Sequence, residues 1–280
     1  MGRASGSFNS RYEQVVQDIV TSSASDGVVC TGDAAANTKG TWVTNAAYKP
    51  TFSWNLLKIM AYNRSAADHV FDIGVDDGSG NVYVICPDLR CPGLRTARMG
   101  MVQYLLPLHV PKDKQIAFRC AGSTGSLAIA LTIGGHSNGI GGAQGFSRMV
   151  SLYTPASSRG VAVDPGATAH TKGAWAQLTS SSSDRIVGLM FAVGHNGDIG
   201  RAANARGVID IGIGAAASER VLIADSLVIA ETAIDSWYPI IHGPFPCDVP
   251  AGTRFAARFQ NEINTASDRL CDIAAWGFVP

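Results

Sequence analysis

The stretch NTKGTW, residues 37–42, recurs almost unchanged as HTKGAW at residues 170–175. Four of the six positions are identical in the two copies: Thr38, Lys39, Gly40 and Trp42 in the first, and Thr171, Lys172, Gly173 and Trp175 in the second. The chain has only five tryptophans, so two of them in the same local setting indicate a copied segment. Internal repetition therefore has to be followed along the chain before a fold is proposed.

Further matches follow the motif in the same order in both parts of the chain. VFDIGVDDGSG from Val70 resembles VIDIGIGAAAS from Val208, which aligns Asp72 with Asp210. VPKDKQIAFR, from residue 110, resembles VPAGTRFAAR, from residue 249. The offset between copies grows from 133 (37 to 170) to 138 (72 to 210) and 139 (110 to 249). Ordered matches with small loop insertions indicate a tandem duplication, with units at residues 28–133 and 161–280.

Two segments lie outside the predicted units. Residues 1–27 form an N-terminal arm, and residues 134–160 contain GGHSNGIGGAQG, whose glycines are typical of a flexible linker. The arm contains apolar residues at the i, i+3, i+4, i+7 spacing of a short amphipathic helix: Tyr12, Val15, Val16 and Ile19.

Short apolar runs bounded by Gly, Pro, Asn and Asp fill each unit. HVFDIGV, residues 69–75, alternates in the way expected of a strand with one buried face, and DDGSGN, residues 76–81, is a candidate hairpin turn. RVLIADSLVIA and TRFAARF have the same strand character. The sequence therefore predicts an all-β protein of two tandem antiparallel β-sandwich or jelly-roll domains, preceded by a short helical arm.

Within this fold the repeated motif is interpreted as structural. A Thr-Lys-Gly-x-Trp turn can place the indole against the edge or core of a sandwich, with the lysine pointing to water or lying over the ring. A ligand-binding tryptophan is the alternative. Asp72 and Asp210 recur on the polar side of a strand, where we expect sheet or turn hydrogen bonds rather than a catalytic pair.

The composition argues against several classes of protein. Lys+Arg and Asp+Glu both number 22, so there is no basic surplus for general nucleic-acid binding. No secretory signal is visible and no apolar run of about 18 residues predicts a membrane span. Charged residues make up 16% of the chain, which favours a surface that is partly covered by partners.

No catalytic or metal-binding constellation is predicted. GHSNG, residues 135–139, fits G-x-S-x-G, but the glycine-rich sequence after it is a poor start for the required helix. Cys86 and Cys91 have no partner pair at zinc-site spacing, and the six cysteines are expected to be reduced thiols. Asp76 and Asp77 offer carboxylates that calcium could use, but the second copy lacks both, so a solvated hairpin is preferred. We therefore expect no enzyme activity, no cofactor and no metal.

VIDIGIGAAASERVLI and FPCDVPAGTRFAARFQ, in the second unit, resemble segments of tailed-bacteriophage virion proteins. The resemblance implies a structural subunit of the particle, such as a head decoration, collar, tail or baseplate component. It also implies synthesis in the host cytoplasm, localisation in the virion, and contacts with other virion proteins and with copies of itself. The alternative is a carbohydrate- or receptor-binding module of a tail tip, for which Trp237 and Tyr238 are the candidate ligand-binding residues.

Overall fold

The structure is a computed structural model that describes residues 16–19, 27–44, 47–63, 65–93, 100–126, 128–137, 145–154, 160–195, 205–230, 240–263, 265 and 270–280. In this part of the chain the regular secondary structure consists of strands alone: β1 Val16–Ile19, β2 Val28–Thr31, β3 Val43–Thr44, β4 Leu56–Asn63, β5 His69–Asp76, β6 Val82–Cys91, β7 Gly100–Leu106, β8 Gln115–Gly122, β9 Ala128–His136, β10 Arg148–Ser151, β11 Val161–Val163, β12 Ala176–Thr179, β13 Ile186–His195, β14 Ala205–Ile213, β15 Arg220–Ala230, β16 Ile240–Val249, β17 Phe255–Asn261 and β18 Cys271–Val279. No helix within the described ranges is long and apolar enough to cross a membrane.

The eighteen strands of the described residues form four antiparallel sheets, two in each half of the chain. The first half has a five-stranded sheet, β1-β9-β4-β7 with β2 also on β9, and a four-stranded sheet, β3-β8-β5-β6. The second half has β10-β18-β13-β16 with β11 also on β18, and β12-β17-β14-β15. Each strand of the second half therefore takes the place of the strand nine positions earlier. The all-β, antiparallel prediction is confirmed.

In each half the two sheets pack face to face, as in a β-sandwich. Phe191 and Ile273 of one second-half sheet share an apolar core with Ile211 and Phe259 of the other. The corresponding first-half core contains Ile59, Ile73 and Leu131, among others. These side chains alternate along their strands with residues of the opposite face, which is the pattern that places one side of each sheet inside the sandwich.

The predicted strands and hairpin turn lie where the sequence placed them. β5 and β6 are joined at residues 77–81, where the Asp77 N–H donates to the Asn81 carbonyl at 3.0 Å. The Asp76 side chain accepts hydrogen bonds from the N–H groups of Gly78, at 2.7 Å, and Gly80, at 3.1 Å. The expectation that β5 buries one face is wrong, because all eight of its residues are buried. Side chains from the repeated motif and from β8 cover the side of β5 that points away from the core.

The predicted N-terminal helix is wrong for the residues that the structure describes. Val16–Ile19 form β1, which pairs antiparallel with the end of β9, from Ile133 to His136. Tyr12 and Val15, the other two members of the predicted stripe, lie outside the described residues. A lone helix of this length is marginal in water, whereas β9 offers unpaired backbone groups to a segment rich in β-branched residues.

Strands occupy both ends of the segment predicted as a linker, residues 134–160, and a residue between them contacts both halves. β9 of the first half extends to His136, and β10 of the second half begins at Arg148. Just before β10, the Phe146 N–H donates to the Pro107 carbonyl at 2.7 Å, and its carbonyl accepts from the His109 N–H at 2.7 Å. The Phe146 ring lies 5.2 Å from that of Phe278 in β18, so this segment contacts both halves.

Candidate functional site

The first copy of the repeated motif forms an ion-pair cluster on the side of β5 that points away from the sandwich core. Lys39 Nζ donates to Asp72 Oδ1 at 2.5 Å and lies 2.9 Å from Asp88 Oδ1. Arg119 Nε donates to the other Asp72 oxygen at 2.7 Å, and its guanidinium carbon lies 4.4 Å from the centre of the Trp42 ring. The Asp88 N–H also donates to Asp72 Oδ1, at 2.8 Å. Asp72 therefore binds two cations and one backbone donor.

The second copy builds the same cluster from the corresponding residues. Lys172 Nζ donates to both carboxylate oxygens of Asp210 at 2.6 Å, and to Asp225 Oδ1 at 2.6 Å. Arg258 Nε donates to Asp210 Oδ2 at 2.8 Å, and its guanidinium carbon lies 4.5 Å from the centre of the Trp175 ring. The Asp225 N–H donates to Asp210 Oδ1 at 2.9 Å. The same residue pairs are thus in contact in both clusters.

Glycines explain why the motif folds in this way. A Cβ on Gly40 would lie 2.0 Å from the Thr31 carbonyl oxygen, so no other residue fits the turn that delivers Lys39 to the sheet. On the strand, a Cβ on Gly212 would lie 2.7 Å from the Trp175 ring, which needs the space that a glycine leaves. The D-I-G sequence therefore supplies both the aspartate of the cluster and the glycine against which the tryptophan ring packs.

The structure corrects the interpretation of the lysine and adds residues to the site. Lys39 and Lys172 do not point to water or cover the indole; they bind aspartates, and an arginine covers each ring. The missed residues carry a signal in the repeat: Arg119 aligns with Arg258, and Asp88 aligns with Asp225 at a similar offset. Asp88 and Asp225 also share a left-handed backbone, with φ of 52° and 53°.

The electrostatics of the cluster favour a structural role. Burial opposes ionisation of Asp210, but hydrogen bonds from Lys172, the Asp225 N–H and Arg258 outweigh it and lower the pKa of Asp210. Burial likewise disfavours the charged Lys172, yet its hydrogen bonds to Asp210 and Asp225 raise its pKa. A carboxylate held ionised by two cations is a weak base at neutral pH. Each cluster contains two cations and two carboxylates, so its net charge is zero. It joins a turn, two neighbouring strands and an edge strand.

Other candidate residues from the sequence are placed as follows. Asp77 Oδ1 accepts the Ser79 N–H at 2.7 Å, so this carboxylate is part of the hairpin turn. Cys86 and Cys91 are buried free thiols whose pKa values are raised by burial. The described residues contain no group of three or more His, Cys, Asp or Glu arranged to hold a metal ion. Trp237 and Tyr238 lie outside the described residues.

The junction between the halves lies directly beside the first cluster. Trp276 of β18 is fully buried; its Nε1–H donates to the Pro87 carbonyl at 2.9 Å, and its ring meets that of Tyr104 edge-on at 6.4 Å. The Tyr153 hydroxyl donates to the Asp88 carbonyl at 2.7 Å. The second half thus covers the edge of β6 and Asp88 of the first cluster. The Asp88 side chain is 16% exposed, whereas Asp225 in the second cluster is 63% exposed.

Comparisons with known proteins give structural likenesses of low score. No protein-family model matches the chain, and no curated protein sequence matches it. PNGase F, a glycosylasparaginase from Flavobacterium meningosepticum, aligns over 95% of this chain and 96% of its own, with 9% identity and a TM-score of 0.36. The tandem CBM22 domains of Paenibacillus barcinonensis Xyn10C align over 96% and 92%, with 12% identity and a TM-score of 0.27. At these scores the likeness identifies neither a family nor an activity.

Proposed function

We propose that this chain is a non-enzymatic structural subunit of a bacteriophage particle, a head decoration, collar, tail or baseplate component that acts through contacts between proteins. The virion assignment comes from the sequence resemblance of the second unit. Within that role, the molecule binds other proteins through its sheet edges.

The observation that carries the proposal is the position of the exposed apolar side chains, which lie on edge strands. Each large, exposed apolar side chain of the described residues stands on a strand with one hydrogen-bonded neighbour: Val29, Tyr83, Met101, Leu105, Val221 and Leu227. A strand with an unpaired edge can bind another chain, and exposed apolar side chains on it add to such a contact. Leu227 and Tyr83 are 56% and 64% exposed, so these side chains remain available for a partner.

The buried charged residues also support this function, because they bind each other and not a ligand. In a binding or catalytic site, charged groups face a ligand. Here Asp72 and Asp210 are almost fully buried, and their carboxylates bind lysine and arginine of the same chain. We attribute the two matching clusters, and the shared strand order, to a tandem duplication with units at 28–133 and 161–280. The duplicated residues are those that hold each module in shape.

The experiment is to locate the chain in purified particles. Particles are banded from cells that carry the gene, washed in high salt, and quantified by mass spectrometry against the other structural proteins. We expect a fixed copy number per particle, and incomplete or unstable particles when the gene is deleted. Absence of the chain from washed, infectious particles would refute the proposal.

A glycan array with the purified chain separates the alternative from the proposal. A purely architectural subunit gives no signal above a matched β-sandwich control. Saturable binding to a defined glycan, lost in a Trp237→Ala or Tyr238→Ala variant, would instead support a receptor-binding module.

A further inference from the structure

The junction inside the chain joins two different surfaces, which we name the edge surface and the outer face. The edge surface of the first half is the part of β6 around Pro87, Asp88 and Arg90. The outer face of the second half is the side of its five-stranded sheet that points away from its own sandwich, around Met190 and Trp276. Both residues of that face are buried in the core shared with the first half. The sheet is therefore covered on both sides.

The second half has an edge surface of its own, and it is open. Val70 pairs with Arg90 in the first half and the matching Val208 pairs with Leu227 in the second, so Leu227 takes the place of Arg90. Arg90 is 7% exposed and Leu227 is 56% exposed. Ala224 and Asp225, which take the places of Pro87 and Asp88, are also exposed. No side chain among the described residues donates to the carbonyl of Ala224 or Asp225, whereas Trp276 and Tyr153 cap those of Pro87 and Asp88.

The first half correspondingly has an outer face that is less covered. Leu57 pairs with Gly135 in the first half and Leu189 with Gly277 in the second, so these pairs occupy the same place. Counting along β4 and β13 from this point places Met60 at the position of Ala192. Ala192 is fully buried, whereas Met60 is partly exposed.

The neighbouring part of this face is partly exposed as well. The same count places Tyr62 at the position of Gly194. Met101 lies opposite Tyr62 on β7, pointing to the same side of the sheet, and is 38% exposed. The outer face of the first half thus presents Met60, Tyr62 and Met101 beside Lys58 and Thr132, and the described part of the second half leaves it partly uncovered.

The two open surfaces complement each other in size. Within the chain the long Arg90 side chain lies over Gly194, where an added Cβ would be 3.0 Å from Arg90 Nη1. At the corresponding place on the open surfaces, the shorter Leu227 would face the larger Tyr62. A large residue over a small one is replaced by a shorter residue over a larger one, so the volume of the pair is kept. The charged guanidinium is replaced by an apolar side chain, which favours contact in water.

We propose that the edge surface of one chain, at Ala224, Asp225 and Leu227, binds the outer face of a second copy, at Met60, Tyr62 and Met101. This inference names the partner in the assembly role proposed above and rests on it. Because the two surfaces differ, the contact is head-to-tail, and its repetition gives a ring or an open filament. Gly134 stands where Trp276 stands in the second half, so the contact between chains lacks the central indole. Self-association is therefore weaker than the junction within a chain and depends on concentration.

The test uses the purified full chain in sedimentation velocity and mass photometry over a range of concentrations. We expect oligomers that form with rising concentration. Leu227→Arg and Met101→Arg each place a charge on one of the two surfaces, and each should weaken self-association by about tenfold or more. The matched control is Ser79→Arg, which adds the same charge at an exposed position of the β5–β6 turn, outside both surfaces. Circular dichroism and a thermal melt confirm that each variant is folded.

Mixing the two variants decides the geometry. Leu227→Arg keeps an intact outer face and Met101→Arg keeps an intact edge surface, so a mixture should form dimers that grow no further. A chain that is monomeric at all concentrations, or variants that associate like the wild type, would overturn the proposal. Loss of association in Leu227→Arg alone, with no dimer on mixing, would also overturn it, because a symmetric contact behaves in that way. The particle experiment is independent: a monomer found in particles refutes this inference and leaves the proposed function standing.

Discussion

Replacing Asp72 by asparagine tests whether the ion-pair clusters hold the sandwiches together. The substitution keeps the shape of the side chain but removes its charge, and the amide then presents N–H groups to Lys39 or Arg119, which are themselves donors. Asp72 is 3% exposed, while Lys39 and Arg119 are 20% and 30% exposed. Removing one partner from a fully buried pair costs roughly 3–5 kcal/mol. Because both cations here keep some contact with water, we expect a loss of about 2–3 kcal/mol in the free energy of unfolding.

Equilibrium unfolding in urea at pH 7, followed by circular dichroism, measures this loss. Asp210→Asn should behave alike, since its carboxylate has the same partners in the second half. The matched control is Asp113→Asn, an exposed aspartate whose side chain is 74% accessible and which should change stability little. If both cluster variants unfold at the midpoint of the wild type, the clusters are not what stabilises the modules.

The pH dependence gives a second reading of the same variants. The pKa of Asp210 is lower in the folded chain than its value of about 3.9 in an unfolded one. Its contribution to stability is therefore present above about pH 4 and is lost as the pH falls through the lower, folded pKa. The gap in stability between wild type and Asp210→Asn should shrink in acid. A gap that widens as the pH falls would contradict the argument.

Two further predictions concern the junction and the thiols. Trp276→Ala should lower the free energy of unfolding by about 3–5 kcal/mol through the cavity it leaves. Trp276→Phe chiefly removes the donor to the Pro87 carbonyl and should cost about 1–2 kcal/mol. Urea unfolding measures both, and equal losses would argue against tight packing at this position. A disulfide reagent at pH 8 should react slowly with the native chain, because five of the six cysteines are buried and burial raises the pKa of the sixth, Cys247, to about 11. Six thiols should react in guanidinium chloride, and two or more fast-reacting thiols in the native chain would contradict the burial.

The sequence was informative wherever a pattern is local or is copied. Alternation over 69–75 and the DDGSGN turn placed β5 and its hairpin, because strand period and turn chemistry are properties of neighbouring residues. The NTKGTW and HTKGAW copies identified the lysine and the tryptophan of each cluster, and the D-I-G copies identified Asp72 and Asp210. The aligned Arg119 and Arg258 were visible too, but alignment alone does not say which side chain covers a tryptophan.

What the sequence did not provide depends on contacts between distant strands. The i, i+3, i+4, i+7 spacing around Val16 fits a helix, and the free end of β9 decides in favour of a strand. Pairing partners that are more than a hundred residues apart leave no local mark. The same holds for Trp276, whose place at the junction follows from which face of β18 meets the first half. Neighbouring sequence identifies it only as an apolar residue in a strand.

The unequal cover of the two five-stranded sheets matters during synthesis, because the chain is made from its N-terminus. The first half leaves the ribosome before β13 and β18 are made, and its own outer face carries Lys58, Thr132 and partly exposed apolar residues that water can tolerate. The later half bears Trp276 and Phe278 on a face that has to be shielded as soon as it forms. Translation therefore completes the sandwich that covers this face before the face itself is made.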